Sequence, residues 1–335
     1  MINTPYLLCH ENICRLEGSS LLIGDRRHFP FEKRFVRCAS AEEAAHALQT
    51  MVTQGGGPLE VALLAMVQVK RRIKAQELSP SLTSFTDAAL LLKAARPTNT
   101  TMARALDTLL SSYQSLDEAM DRIEEDVTKS LAQWDEIYHR LGKLGGSLIG
   151  DDEGILTTCF GEHTVLYSLA YAREAGKHIR LYVNETRPYL QGSRLTAPSA
   201  HQMGIDVTII GDGMGATLMR EGVIDRYMTA CDVLCMDGTV VNKTGTLSNA
   251  IACSHYRIPY HAFAISPDPS KRGEADVVTE ERNPQEMKEC RGEATTAADI
   301  PARYPAFDII AASLVTSVVT PKGVLRPHEV EEAFA

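Results

Sequence analysis

"LTTCFGEHTVLYSLAYA" (residues 156–172) passes from a short β-branched run, through a turn carrying Cys159, into an amphipathic helix. The same alternation recurs downstream. Strands are expected at 154–158, 179–183, 206–210, 232–236 and 260–264, with helices at 163–176, 191–203, 214–222 and 245–256. Strands alternating with helices demand a parallel, Rossmann-like sheet, whose ligand sites lie beyond the carboxyl ends of the strands. Five loops therefore matter: 159–163, 184–192, 211–215, 237–245 and 265–273.

Upstream the pattern differs. Residues 6–38 read as short strands punctuated by Gly, Asp and Pro. "SAEEAAHALQTMV" (40–52) opens with a capping-box pattern, and "PLEVALLAMVQVKRRIKAQ" (58–76) carries Pro at a first helical position. Residues 100–143 keep a helical period with a break near Ser115, and "GKLGGSLIGDDEG" (142–154) reads as a linker. The fold class is α/β, with a mainly helical N-terminal domain containing a few short strands (1–145) and a Rossmann-like C-terminal domain (146–335).

A chain of 335 residues, 44% hydrophobic and 23% charged, has the composition of a soluble globular protein of two domains. Its net charge of −9 supplies no basic field for nucleic acid or an anionic membrane. No apolar run approaches the roughly 18–20 residues of a membrane span, and the first residues show no secretory pattern. The eight cysteines contain no CxxC pair, so no metal is expected. They read as reduced thiols in a cytoplasmic protein.

The loops carry the chemistry. Cys159 has Glu162 and His163 beside it, which suggests a local Cys–His–Glu cluster. "IIGDGMGATLM" (209–219) imitates a dinucleotide fingerprint. Its spacing is G-x-G-x-G on the third strand rather than G-x-G-x-x-G on the first, so its glycines read as room for close backbone approach. "NETRPYLQGSRLTA" (184–197) gathers Glu185, Arg187, Gln191 and Arg194 at a strand end, either for an oxyanion or as an Arg–Glu network. "AARPTNTTM" (94–102) and "TQGGGPLEVA" (53–62) each open a helix with donors that suit an anion, through Arg96 and through Gly55, Gly56 and Gly57. In "LCMDGTVVNKTGT" (234–246) an apolar strand ends at Asp237, followed by Asn242 and Lys243. A carboxyl there can be a general acid or a simple cap.

Together these segments resemble the methylthioribose-1-phosphate isomerase family, which belongs with the regulatory α, β and δ subunits of the translation factor eIF2B. The resemblance rests on "ARPT" (95–98), "ETRPYLQGSRLTA" (185–197), "DGMGATLMREG" (212–222), "NKTGT" (242–246), "EERNP" (280–284), "PAFDII" (305–310) and "TPKGVLRP" (320–327). It implies a homodimer and a cofactor-independent isomerase of methionine salvage. That enzyme turns the C1-phosphorylated aldose 5-methylthioribose 1-phosphate into the ketose 5-methylthioribulose 1-phosphate. It further implies Cys159 as the residue moving a proton between C2 and C1, and Asp237 as the ring-opening acid. Gly55, Gly56, Gly57, Arg96, Gln191, Asn242 and Lys243 would bind the small phosphorylated sugar. Hydride shift is the alternative to proton transfer. A related sugar such as 5-deoxyribose 1-phosphate is the alternative substrate, and a non-catalytic eIF2B-like regulatory subunit the alternative class.

The departures from the family pattern fall on the pocket. Cys159 is followed by Phe160-Gly161-Glu162-His163 instead of an Asn-Ala-Gly-type turn, and the glycine loop begins with Gln54 instead of Arg. Thr101 stands where the family has Asn, and the interval from Asp237 to Asn242 is about four residues shorter than usual.

Overall fold

The computed structural model describes residues 2–97 and 99–335, so Thr98 of the Arg-Pro-Thr segment lies outside the described residues. The chain divides into two units, residues 4–136 and residues 137–335 with the chain's first residues.

In the first unit α1 (His10–Ile13) leads into an antiparallel meander of β1 (Cys14–Glu17), β2 (Ser20–Asp25) and β3 (Arg34–Cys38). Cys14 pairs with Ile23 and Leu21 with Cys38, which aligns the apolar positions on one face. Ser40 caps α2 (Ala41–Gln49): its hydroxyl accepts from the Glu43 amide, while the Glu43 carboxylate accepts from the Ala39 amide at 2.7 Å. α3 (Gly57–Lys74) starts one residue before the predicted proline and runs through the core, with Val61, Leu63 and Met66 fully buried. Burial of each such side chain is worth about 1.5–3 kcal/mol. α4 (Leu82–Ala95) and α5 (Thr100–Ser111) pack on it. The predicted break at Ser115 is real: Ser115 Oγ accepts from Glu118 N and Glu118 Oε2 from Gln114 N, so a capping box ends one helix and starts the next.

That next helix, α6 (Leu116–Leu148), absorbs the stretch expected as a linker. Its glycines are packing residues. A Cβ at Gly145 would meet Ser168 Oγ at 2.1 Å and the Phe263 ring at 2.6 Å, and one at Gly142 would meet Tyr167 at 2.6 Å. The boundary between units thus falls at Glu136–Ile137 within α6, earlier than the expected 145–146.

The second unit holds a seven-stranded sheet in the order β15 (Gly323–Leu325), β14 (Ser317–Thr320), β10 (Tyr260–Phe263), β7 (Arg226–Ala230), β4 (Glu153–Thr157), β5 (Ile179–Asn184) and β6 (Asp206–Ile210). All neighbours are parallel except β14 and β15. Its helices are α7 (Glu162–Glu174), a π-helical turn at Gly192–Thr196 continuing into α8 (Ala197–Gln202), α9 (Gly215–Arg220), α10 (Thr246–Tyr256) and the terminal α11 (Val330–Phe334). Tyr227 and Tyr260 stack at 4.7 Å between centroids in its core. A hairpin, β11 (Glu289–Cys290) and β12 (Glu293–Ala294), is separate.

One strand is corrected. The expected strand 232–236 is not in the main sheet, whose strand here is β7 at 226–230. Residues 233–234 form β8 (Val233–Leu234), the edge of a small antiparallel sheet with β9 (Val240–Lys243) and β13 (Phe307–Ile310). The chain after β4 builds β5 and β6 on one side, then returns to place β7 on the other. The switch point therefore lies between the carboxyl ends of β4 and β7, where open α/β sheets take their ligands.

Candidate active site

Cys159 follows β4 at this switch point, half-buried, with φ of 69°. That left-handed backbone costs a non-glycine residue about 1–3 kcal/mol, and such residues concentrate at functional sites. Its neighbours restrain it. The Cys159 amide donates to Thr186 Oγ1 at 2.9 Å, and Thr196 Oγ1 donates to the Cys159 carbonyl at 2.6 Å. Beneath it, Thr158 Oγ1 donates to Asn184 Oδ1 at 2.9 Å, lies 2.7 Å from the Tyr227 hydroxyl and accepts from Asn249 Nδ2.

Burial pushes the Cys159 thiol up to about 11. Lys243 opposes that rise, Asp232 adds to it, and Arg282 works with Lys243. Lys243 is 4% exposed on β9 and is lowered by burial, against the pull of Cys159 and Asp232. Its Nζ lies 4.6 Å from the centroid of the Phe307 ring. Arg282 of the "EERNP" stretch reaches over Tyr189 and Phe307 and pairs with Glu280, Nε to Oε1 at 2.7 Å. Gln191 is 3% exposed, and its Oε1 makes no hydrogen bond among the described residues; the same holds for the buried Tyr304 hydroxyl, on which the Cys159 charge also acts. Asn242 is buried and donates to Thr246 Oγ1 at 3.0 Å.

Asp237 is elsewhere. It is exposed in the turn after β8, where Oδ1 accepts from Thr239 N at 2.8 Å and Oδ2 lies against Gly273. Its amide donates to the Arg272 carbonyl, tying it to the 268–276 segment. Asp232, two residues after β7 and exposed like Asp237, is a carboxylate whose charge acts on both Cys159 and Lys243. The sequence did hold a signal for it: Asp232 directly follows "YMTAC", an apolar run that reads as well as "DVLCM".

Glu162 and His163, close to Cys159 in sequence, lie at the start of α7. His163 is 2% exposed and stacks on Tyr138 at 4.7 Å, with Tyr167 edge-on at 5.2 Å. Glu162 stays 4.0 Å from His163. The dinucleotide imitation is structural as well. A Cβ at Gly215 would meet Asn249 Oδ1 at 2.4 Å, so this glycine admits the side chain that supports Thr158. Asp212 accepts from the amides of Thr186 at 2.7 Å and Arg187 at 2.8 Å. Arg187 itself donates to the Glu289 carbonyl at 3.0 Å, which makes it a tether of the 287–290 segment.

In the first unit, Gly55 has φ of 64° and Gly57 begins α3 so close to Thr53 that a Cβ would lie 2.1 Å from Oγ1. Sequence reasoning missed Arg26, a buried guanidinium that donates to the carbonyls of Gln54 and Leu7 under this loop. Arg96 closes α4 with its guanidinium 2.9 Å from Met51 Sδ.

The model of the family described as "Initiation factor 2 subunit family" matches residues 58–327. The chain belongs to this family. Within the initiation factor 2 subunit family, methylthioribose-1-phosphate isomerase of Thermotoga maritima is 33% identical over 325 residues, covering 92% of this chain and 93% of that protein. Among solved structures, 5-methylthioribose 1-phosphate isomerase from Pyrococcus horikoshii OT3 matches with a TM-score of 0.81 at 26% identity, covering 96% of this chain and 94% of that one. The eIF-2B subunit delta from A. fulgidus matches with the same TM-score at 27% identity, covering 96% and 99%. The fold thus serves proteins named for isomerisation and for translation initiation alike, and the choice between them turns on the site.

Proposed function

We propose that this chain is a cofactor-independent isomerase that converts 5-methylthioribose 1-phosphate to 5-methylthioribulose 1-phosphate. The observation that carries this reading is the thiol of Cys159 at the β4/β7 switch point, sharing its surroundings with Lys243 and Asp232. A sugar phosphorylated at C1 has no free hemiacetal, so an acid must protonate the ring oxygen as the C1–ring oxygen bond breaks. Asp232 is proposed for that step in place of Asp237. This assignment also lengthens the interval to Asn242 by five residues, which removes the shortening that a role for Asp237 requires. Cys159 then takes the proton from C2 and returns it to C1, while the O2 hydroxyl proton goes back to the acid as the ketone forms.

Lys243, Asn242 and Gln191 are assigned to substrate hydroxyl and phosphate oxygens. In the first unit Gly55, Gly56, Gly57 and Arg96 are assigned to phosphate. Related isomerases act on a small phosphorylated sugar, which supports this class of ligand. The protein is further proposed to be cytoplasmic; no helix among the described residues is long and apolar enough to cross a membrane. It is proposed to dimerise through its second unit, where Ile209, Met214 and Ile251 remain exposed.

The test is turnover of 5-methylthioribose 1-phosphate by the full chain and by Cys159→Ser, Asp232→Asn and Asp237→Asn variants. The first two lose about 10²–10⁴-fold in kcat, and the third stays within threefold. Wild-type turnover in Cys159→Ser removes the mechanism. An inactive wild-type chain that co-purifies with a stable protein partner supports the regulatory-subunit reading instead.

A further inference from the structure

The loop that bears Cys159 is held less by its own strand and helix than by the loop of the neighbouring strand. Both polar groups of the Cys159 backbone are bound by side chains beyond β5: Thr186 Oγ1 accepts its amide at 2.9 Å, and Thr196 Oγ1 donates to its carbonyl at 2.6 Å. The two threonines are 1% and 0% exposed, so neither bond competes with bulk water. Thr186 is itself left-handed, with φ of 64°, and is fixed in turn. Its hydroxyl donates to the Asn184 carbonyl at 3.1 Å, and its amide is accepted by Asp212 at 2.7 Å. The Thr186 hydroxyl therefore has one donor role and one acceptor role, and both are filled.

A turn needing only positive φ is served by glycine without strain. Here a cysteine occupies the left-handed position, and two buried hydroxyls grip it on either side. That arrangement makes sense when the direction of the side chain, and not the turn, is what is being held. We propose that Thr186 and Thr196 are positioning residues that aim the Cys159 thiol at the reacting carbons, with Asp212 acting through Thr186. This inference rests on the reading of Cys159 as the proton-transferring residue. Loss of either grip lets the Cys159 backbone relax from its left-handed well and swings the sulfur away from its working position. A displacement of about 1 Å at a reacting atom is enough to cost on the order of 10²-fold in rate.

The experiment compares Thr186→Val, Thr196→Val and the conservative Thr186→Ser and Thr196→Ser in the full chain. It reads kcat and KM for 5-methylthioribose 1-phosphate, the Tm, and the rate at which iodoacetamide alkylates Cys159. The valine variants lose about 10–100-fold in kcat with KM within threefold, and their Cys159 alkylation rate departs from wild type. The serine variants, which keep the hydroxyl, stay within about threefold on every readout. Asp212→Asn removes one carboxylate acceptor without touching either hydroxyl, and serves where a valine variant fails to fold. It loses about three- to tenfold in kcat at a wild-type Tm. Wild-type kcat and wild-type alkylation in the valine variants overturn the inference, as does a loss in kcat that serine fails to restore. Failure of the underlying reading looks different: Cys159→Ser then turns over like wild type. The alkylation rates remain informative with or without a turned-over substrate.

Discussion

The main sheet carries a polar cluster at each end. At the amino ends of β4, β7, β10 and β14, Arg226 donates to both oxygens of Glu153 at 2.8 and 2.9 Å and to His261 Nε2 at 2.8 Å. The remaining ring nitrogen, Nδ1, then holds the proton and donates to Ser317 Oγ at 2.8 Å. Glu153, Arg226, His261 and Ser317 all lie outside the left-handed backbone region. Around the carboxyl end of β4, in the loop after β5 and on β9, the terms reverse. Cys159 and Thr186 are left-handed, burial drives the thiol up and Lys243 down, and Gln191 Oε1 has no hydrogen bond among the described residues. One end is closed and complementary; the other keeps strain and unmet hydrogen-bonding capacity at the candidate site.

This contrast can be broken at either end. The largest effect is expected at the closed end, where Arg226→Met strands the Glu153 carboxylate. Stability falls by about 3 kcal/mol in urea unfolding, while kcat of the folded fraction stays within threefold. The same end gives the acid response. Burial, and after it Arg226, depress His261 to about 4, so the unfolded chain takes up a proton near pH 6.5 that the folded chain refuses. Stability is lost as pH falls from 6.5 to 4, by up to about 3 kcal/mol, and a His261→Asn variant lacks that slope.

At the open end, Lys243→Met removes the cation that opposes the rise of the Cys159 thiol. Alkylation of Cys159 at pH 8 slows by about three- to tenfold, whereas in the wild type it climbs with pH toward about 11. The smallest effect comes from the first unit. His10 bridges Glu60 and Asp135 at 2.9 Å each, and these bonds raise it to about 10. Its contribution is complete below pH 6.5 and disappears as pH rises through 10. Being half exposed, it is worth about 1 kcal/mol or less, and the Tm difference between wild type and His10→Gln closes over that range.

The sequence made the architecture legible where local chemistry decides it. Ser40, Ser115 and Pro58 mark helix starts, and the alternation after β4 requires the parallel sheet. Cys159 was legible for the same reason, since a strand-end turn announces itself through Phe160-Gly161. Asp232 was not. The apolar run "DVLCM" drew the expected strand six residues beyond "RYMTA", which put Asp237 and not Asp232 after the expected strand. The glycines at 142, 145 and 146 read as a linker because glycine has the same letter in a flexible joint and in a tight helix contact. Thr186 and Thr196 carry no pattern at all: their meaning comes from a contact between loops 27 and 37 residues apart in sequence.

The strand order has one more consequence, for the way the chain comes into being. Of the seven strands, β4 is the first to be synthesised, yet it lies inside the sheet, with β5 and β6 on one side and four later strands on the other. During N-to-C synthesis the sheet grows outward from it in two directions. The threonine grip arrives with the first direction of growth and Asp232 only with the second. In that order of growth the loop of Cys159 has its threonine contacts available before Asp232 has left the ribosome.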